Sequence, residues 1–174
     1  MEKPKSCVIL GPSPMRLPWG FDEEAEECKE LKLQLLQKIM ELCQQGITNF
    51  IIPCDSGIGL YAAEGVLSLK DLGAACDLFC IVPYEEQATK WAPYLRERYF
   101  SVLTRCTDLY QMHTTWTEHC QFEAYQYGIE RSHVVLAVYH PAQAWGEELD
   151  QAVAYAKAQK KRMLFINPDA CSFE

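Results

Sequence analysis

Hydrophobic segments of membrane length are missing from this sequence. The longest uninterrupted apolar run, Val134 to Tyr139, falls far short of the ~20 residues needed to cross a bilayer. Only Cys7 to Leu10 follow the early lysines, too little for the apolar part of a secretory signal. Basic residues are also scarce, with 16 Lys and Arg against 24 Asp and Glu for a net charge of −8. Docking on DNA, RNA or an anionic membrane rewards a basic face, so the charge argues against all three as partners. The nine cysteines include no Cys-x-x-Cys pair. An odd number of widely spaced thiols among apolar neighbours does not read as a secreted disulfide framework. Reduced thiols acting as small core hydrophobes in a cytoplasmic protein are the expectation. His113, His119 and Cys120 lack the spacing of a zinc site, and neither metal nor cofactor is expected.

What is present is a globular composition, 49% apolar and 23% charged over 174 residues, which suits one domain spanning residues 1–174. Short apolar runs alternate with longer amphipathic stretches. Strands are predicted at Ser6–Leu10, Asn49–Pro53, Cys76–Val82, Asp108–Met112, His133–Tyr139 and Arg162–Asn167. Helices are predicted over Glu24–Gln45, Gly57–Leu72, most of Gln87–Arg105, Glu118–Glu130 and Glu147–Gln159. The first carries Leu31, Leu35, Ile39 and Leu42 at helical spacing, and Gly46 stops it. Such alternation predicts an α/β fold, a three-layer sandwich with a mostly parallel sheet between helices. Ligands of such sheets bind at the carboxyl ends of the strands. The relevant loops are then Gly11–Gly20, Pro53–Gly57, Pro83–Gln87, His113–Thr117 and His140–Gly146.

Those loops supply the candidates. Ser56, Gly57 and Gly59 open a helix, where bare N–H groups and close approach suit an anion. The alternative there is a plain helix cap by Asp55 or Ser56. Tyr84, Gln87 and Trp91 could stack on and hydrogen-bond a nucleobase, or Trp91 could simply anchor its helix. Arg98 lies two turns further on. Gly11, Ser13 and Arg16 follow the first strand. Glu64 sits among Ala62, Ala63 and Val66, and a carboxylate in apolar company can serve in proton transfer. A structural acid is the other reading of it.

Taken in order, Arg16 to Glu24 (RLPWGFDEE), Phe50-Ile51, Ala62-Ala63-Glu64, Pro83 with Gln87 and Trp91, Arg98-Tyr99, Leu136 to Tyr139, and Ile166-Asn167-Pro168 resemble the YpsA-like proteins. These form a branch of the SLOG superfamily of Rossmann-like domains, alongside the DprA proteins and the lonely-guy phosphoribohydrolases. The resemblance covers about residues 7 to 168 and implies a Rossmann-like fold, a nucleotide-derived ligand and a homodimer. Some members of the superfamily hydrolyse nucleoside monophosphates at the N-glycosidic bond.

The departures concern phosphate. Where the family reads Thr-Gly-His-Arg-Pro, this chain has Leu10-Gly11-Pro12-Ser13-Pro14, without the basic pair. Where it reads Gly-Met-Ala-Leu-Gly-Val-Asp, this chain has Pro53-Cys54-Asp55-Ser56-Gly57-Ile58-Gly59. Its Gly-Gly-Thr falls on Glu147-Glu148-Leu149. The resemblance therefore implies a small-ligand-binding protein with weakened affinity for phosphate. One alternative is a nucleotide N-glycosidase in which Glu64 assists departure of the base. The other is an interaction protein without a ligand.

Overall fold

The computed structural model describes residues 3–140 and 147–171. Six strands, β1 (Lys5–Leu10), β2 (Ile47–Pro53), β3 (Asp77–Tyr84), β4 (Asp108–His113), β5 (Val134–Val138) and β6 (Arg162–Ile166), form one sheet in the order β4-β3-β2-β1-β5-β6. Every pairing is parallel. The helices are α1 (Glu26–Gln44), α2 (Ile58–Asp71), α3 (Pro93–Arg105), α4 (Cys120–Glu130) and α5 (Glu147–Ala158). This is the α/β, Rossmann-like arrangement that the alternating pattern predicts.

Side-chain alternation builds a core on each side of the sheet. Cys7 and Ile9 of β1, with Val134, Leu136 and Val138 of β5, join the core under α1, α2 and α3. Val8, Leu10, Val135 and Ala137 point the other way, towards α4 and α5. Strand β5 has helices on both faces and all five of its residues are buried, hence its unbroken apolar run. Right-handed crossovers keep α1 to α3 on one face while the chain steps outward from β1 to β4. The return to β5 reverses direction and moves α4 and α5 to the other face. The order therefore switches between β1 and β5, where the strand-end loops separate.

One boundary matters for the site. The stretch from Gln87 was predicted to be mostly helix, yet α3 begins only at Pro93. Proline at the first helical position keeps the preceding residue extended, and Ala92 has φ −56° and ψ 144°. Residues 85–91 form tight turns instead, with Gln87 N–H donating to Tyr84 O at 3.3 Å and Trp91 N–H to Ala88 O at 3.1 Å. Gln87 and Trp91 thus stay at the end of β3. Helix α1 starts at Glu26, two residues later than expected, and Gly46 (φ +88°) follows it in the left-handed conformation.

Eight cysteines fall among the residues with described side chains, all as free thiols. Burial pushes the Cys7 thiol up to about 12, which leaves little nucleophilic thiolate. No helix among the described residues is long and apolar enough to cross a membrane.

Leu136 has no exposed surface and pairs with Ile9 on one side and Leu164 on the other. Leu136→Asp strands a charge with no partner in a two-sided core. A loss of about 4 kcal/mol or more is expected, a large part of a typical domain's stability. Urea unfolding measures it, and a loss below about 1 kcal/mol would contradict the burial of β5.

Candidate functional site

A crevice of about 300 Å³ opens at the carboxyl edge of the sheet. Ser56 after β2, Tyr84 at the end of β3, and Gln87 and Trp91 in the following turns all line it. Those four positions were candidates in the sequence, and the shared direction of the strands brings them together. Asp55, Trp116, Cys120, Gln121 and Glu148 complete the described wall. The loop predicted at His140–Gly146 falls largely on residues 141–146, outside the described residues, as does the side chain of Glu147.

The three candidate glycines have packing roles. A Cβ on Gly11 would lie 2.5 Å from Ile58 Cγ2, one on Gly57 2.9 Å from Pro14 Cδ, and one on Gly59 2.6 Å from the Pro53 carbonyl. In each case the space left by the missing side chain is filled by protein. Asp55 supplies the capping that the sequence allowed: its Oδ1 accepts N–H donors from Gly57 at 2.7 Å and Gly59 at 2.9 Å. The N–H groups that a phosphate would use at this helix start are therefore already engaged.

The candidate cations lie elsewhere. Ser13 and Arg16 are exposed on the short turn after β1 and are not part of the crevice wall. Arg98 and Glu64 hold each other on the α1–α3 side. Arg98 Nε donates to Glu64 Oε2 at 3.1 Å and Nη2 to Oε1 at 2.6 Å. The same guanidinium grips both oxygens of Glu23, at 2.6 and 2.9 Å, and Lys32 Nζ joins Glu23 at 2.7 Å. Burial alone would raise the Glu23 pKa, but hydrogen bonds from Arg98 and Lys32 hold it below the ordinary value. Glu64 is thus one arm of a clamp between helices. The next residue of α3 does serve the crevice: Tyr99 Oη accepts a hydrogen bond from Gln87 Nε2 at 3.0 Å.

Asp55 is the residue that sequence reasoning passed over as a cap. It is half-buried and lines the crevice. Burial pushes its carboxyl up to about 7, against the opposing pull of the Gly57 and Gly59 N–H groups. Tyr125 of α4, which donates to Gly11 O at 3.3 Å, is raised by its own burial and then by the charge of Asp55. A second depression of similar size sits at the amino edge of the sheet. There Tyr110 and Tyr127 stack at 4.4 Å and Arg131 covers the Tyr127 ring at 3.5 Å, so those rings already have partners in one another.

A titrating group near neutrality gives a pH signature. From about pH 4 to 7 the folded chain keeps a proton on Asp55 that the unfolded chain has released, so this group lowers stability as pH rises through that window. Asp55→Asn retains the Oδ1 acceptor and carries no charge. It is expected to exceed the parent by about 1–2 kcal/mol at pH 8, a figure discounted for water in the crevice, and to lose the advantage by about pH 4. Urea unfolding at the two pH values measures the difference. An advantage that grows on acidification would contradict the assignment.

Comparison with known proteins finds relatives along most of the chain. Over 73 residues the chain is 32% identical to a UPF0398 protein of Halalkalibacterium halodurans, an alignment spanning 42% of this chain and 39% of that protein. It is 26% identical over 125 residues to UPF0398 proteins of Staphylococcus aureus strains JH9 and Mu3, covering 71% of this chain and 67% of each relative. The sequence model of the YpsA family, described as the YspA SLOG family, matches residues 7–171, from the first strand to the last short helical turn. The chain belongs to the YpsA (YspA SLOG) family.

Proposed function

We propose that this chain is a binding domain that holds a small nucleotide-derived ligand in the carboxyl-edge crevice, without catalysis and with little affinity for phosphate. One observation carries the reading: the described wall combines Tyr84, Trp91 and Trp116 with Gln87, Gln121, Asp55 and Glu148, and includes no Lys, Arg or His. Aromatic faces and amides suit a planar base. Glu148, joined by Asp55 once it ionises above about pH 7, opposes an anion. A phosphate within ~5 Å of one ionised carboxylate meets a penalty of ~3 kcal/mol at an effective dielectric of 20. Half of that for the pair together still amounts to about a 100-fold loss of affinity. The clamp that occupies Glu64 supports binding over glycosidic cleavage, because both oxygens of that carboxylate already accept hydrogen bonds from Arg98. The superfamily resemblance supports a nucleotide-derived ligand and a homodimer as the working form, and the free thiols support a cytoplasmic setting.

Calorimetric titration with adenosine monophosphate tests the reading. Dissociation constants of millimolar or weaker are expected for the parent, with at least a threefold gain for Glu148→Gln. Micromolar binding by the parent would overturn the weakened-phosphate reading. A thermal-shift series over nucleosides and nucleotides tests ligand binding itself, since ligand at 100 times its dissociation constant adds ~2.7 kcal/mol to stability. If no member of the series shifts the transition, the protein is an interaction module without such a ligand.

A further inference from the structure

We infer that the groove between α1 and α2 is a self-docking surface, covered by a second copy of this chain about a two-fold axis. The inference rests on the homodimer reading above and names the surface that forms the pair. Two recesses lie along the groove. One of about 270 Å³ sits beside Leu36, Tyr61 and Gly65, and one of about 460 Å³ beside Met40, Leu69 and Leu72. Met40 is about half exposed and Leu72 largely so, and the half-exposed Leu33 stands two turns before Met40 on the same stripe of α1. Gly65 is the telling residue of this face. Every other glycine among the described residues has either a positive φ or an atom closer than 3.0 Å to where a Cβ would stand. Gly65 has neither, its nearest neighbour being Leu36 Cδ1 at an ordinary 3.5 Å. A glycine in mid-helix weakens the helix, and nothing inside the chain requires this one. The space over it belongs to the smaller recess and is open to a partner.

Recess and protrusion lie on one patch, which is what a two-fold contact requires, because each copy must supply the same surface. An axis crossing α1 between Leu36 and Gln37 sets Leu33 of each copy beside Met40 of the other, since both lie equally far from that point. The two α1 helices then run antiparallel, and their dipoles offset one another. Charge favours the same occupant. The chain as a whole carries −8 and repels its own kind. Yet among the described residues the only charged ones lining the two recesses are Lys32 and Glu64. Each is already compensated within its own chain, Lys32 by Glu23 at 2.7 Å and Glu64 by Arg98 at 2.6 Å. The outer edge of β4 is a poorer meeting place. There Asp108 Oδ1 accepts the Leu109 N–H at 2.9 Å, and the Tyr110 ring is stacked on Tyr127.

Sedimentation equilibrium on the full chain provides the test. The parent is expected to be a dimer at micromolar concentration. Leu33→Lys, Met40→Glu and Gly65→Met should each weaken the dimer at least tenfold, while Leu109→Glu on β4 stays within threefold of the parent. Leu33 and Met40 are half exposed in the single chain, so their variants keep the fold, which a thermal transition at low concentration checks. These two decide the question even if Gly65→Met fails to fold. The double variant Leu33→Lys, Met40→Glu sets opposite charges face to face and should bind at least threefold more tightly than either single one. A double variant no tighter than the singles overturns the two-fold register. A parent dimer untouched by the groove variants, or one lost with Leu109→Glu, overturns this surface and leaves the homodimer reading standing. A parent that stays monomeric at about 100 μM overturns this inference together with the reading on which it rests.

Discussion

The carboxyl edge of the sheet depends on how closely the turn after β1 packs against the first turn of α2. Ile58 fills the space beside Gly11, and the Pro14 ring fills the space beside Gly57. A side chain at either glycine would push the two segments apart, an overpacking that commonly costs about 1–3 kcal/mol. This contact fixes where α2 begins, and so where Asp55 meets the N–H groups of Gly57 and Gly59. Tyr125 reaches the same turn from the other helical layer through the Gly11 carbonyl. Loop, sheet and both helical layers therefore converge on a few atoms, and the crevice wall inherits their geometry.

Helix α3 supports that arrangement from two adjacent residues. Arg98 gathers Glu23 from the segment before α1 and Glu64 from α2, in charge-assisted pairs that engage both carboxylates twice. Tyr99 turns to the crevice side and holds the Gln87 amide. A residue chosen in the sequence for its charge proves to organise the scaffold, while its aromatic neighbour positions a group in the wall. The chain thus keeps its best-placed guanidinium for internal pairing, and the crevice is left acidic.

Much of the fold was legible because burial on two faces leaves an unambiguous trace. The apolar run at Val134–Val138 and the helical stripe from Leu31 to Leu42 each admit one placement. Ser56, Tyr84, Gln87 and Trp91 could be grouped because parallel strands deliver their exits to one edge. Asp55 could not be distinguished from an ordinary cap, since the local pattern is the same whether or not a crevice lies above it. The pairing of Glu64 with Arg98, 34 positions apart, has no local signal at all. The glycines were ambiguous for a related reason: a sequence records the missing side chain but not the atoms that take its place. Gln121 entered the wall through the packing of α4, which no spacing in the chain encodes, whereas Trp116 lies in the β4–α4 loop that the strand-exit rule selects.

Asp55 has two duties. Its Oδ1 closes the start of a helix, and the same residue lines the crevice. An asparagine or serine at this position would retain an acceptor for the helix start and change what the crevice offers. Heritable variation here can therefore change the polarity and charge of the crevice wall at little cost to its architecture. That makes residue 55 a position where a lineage can reshape this surface through intermediates that all remain folded.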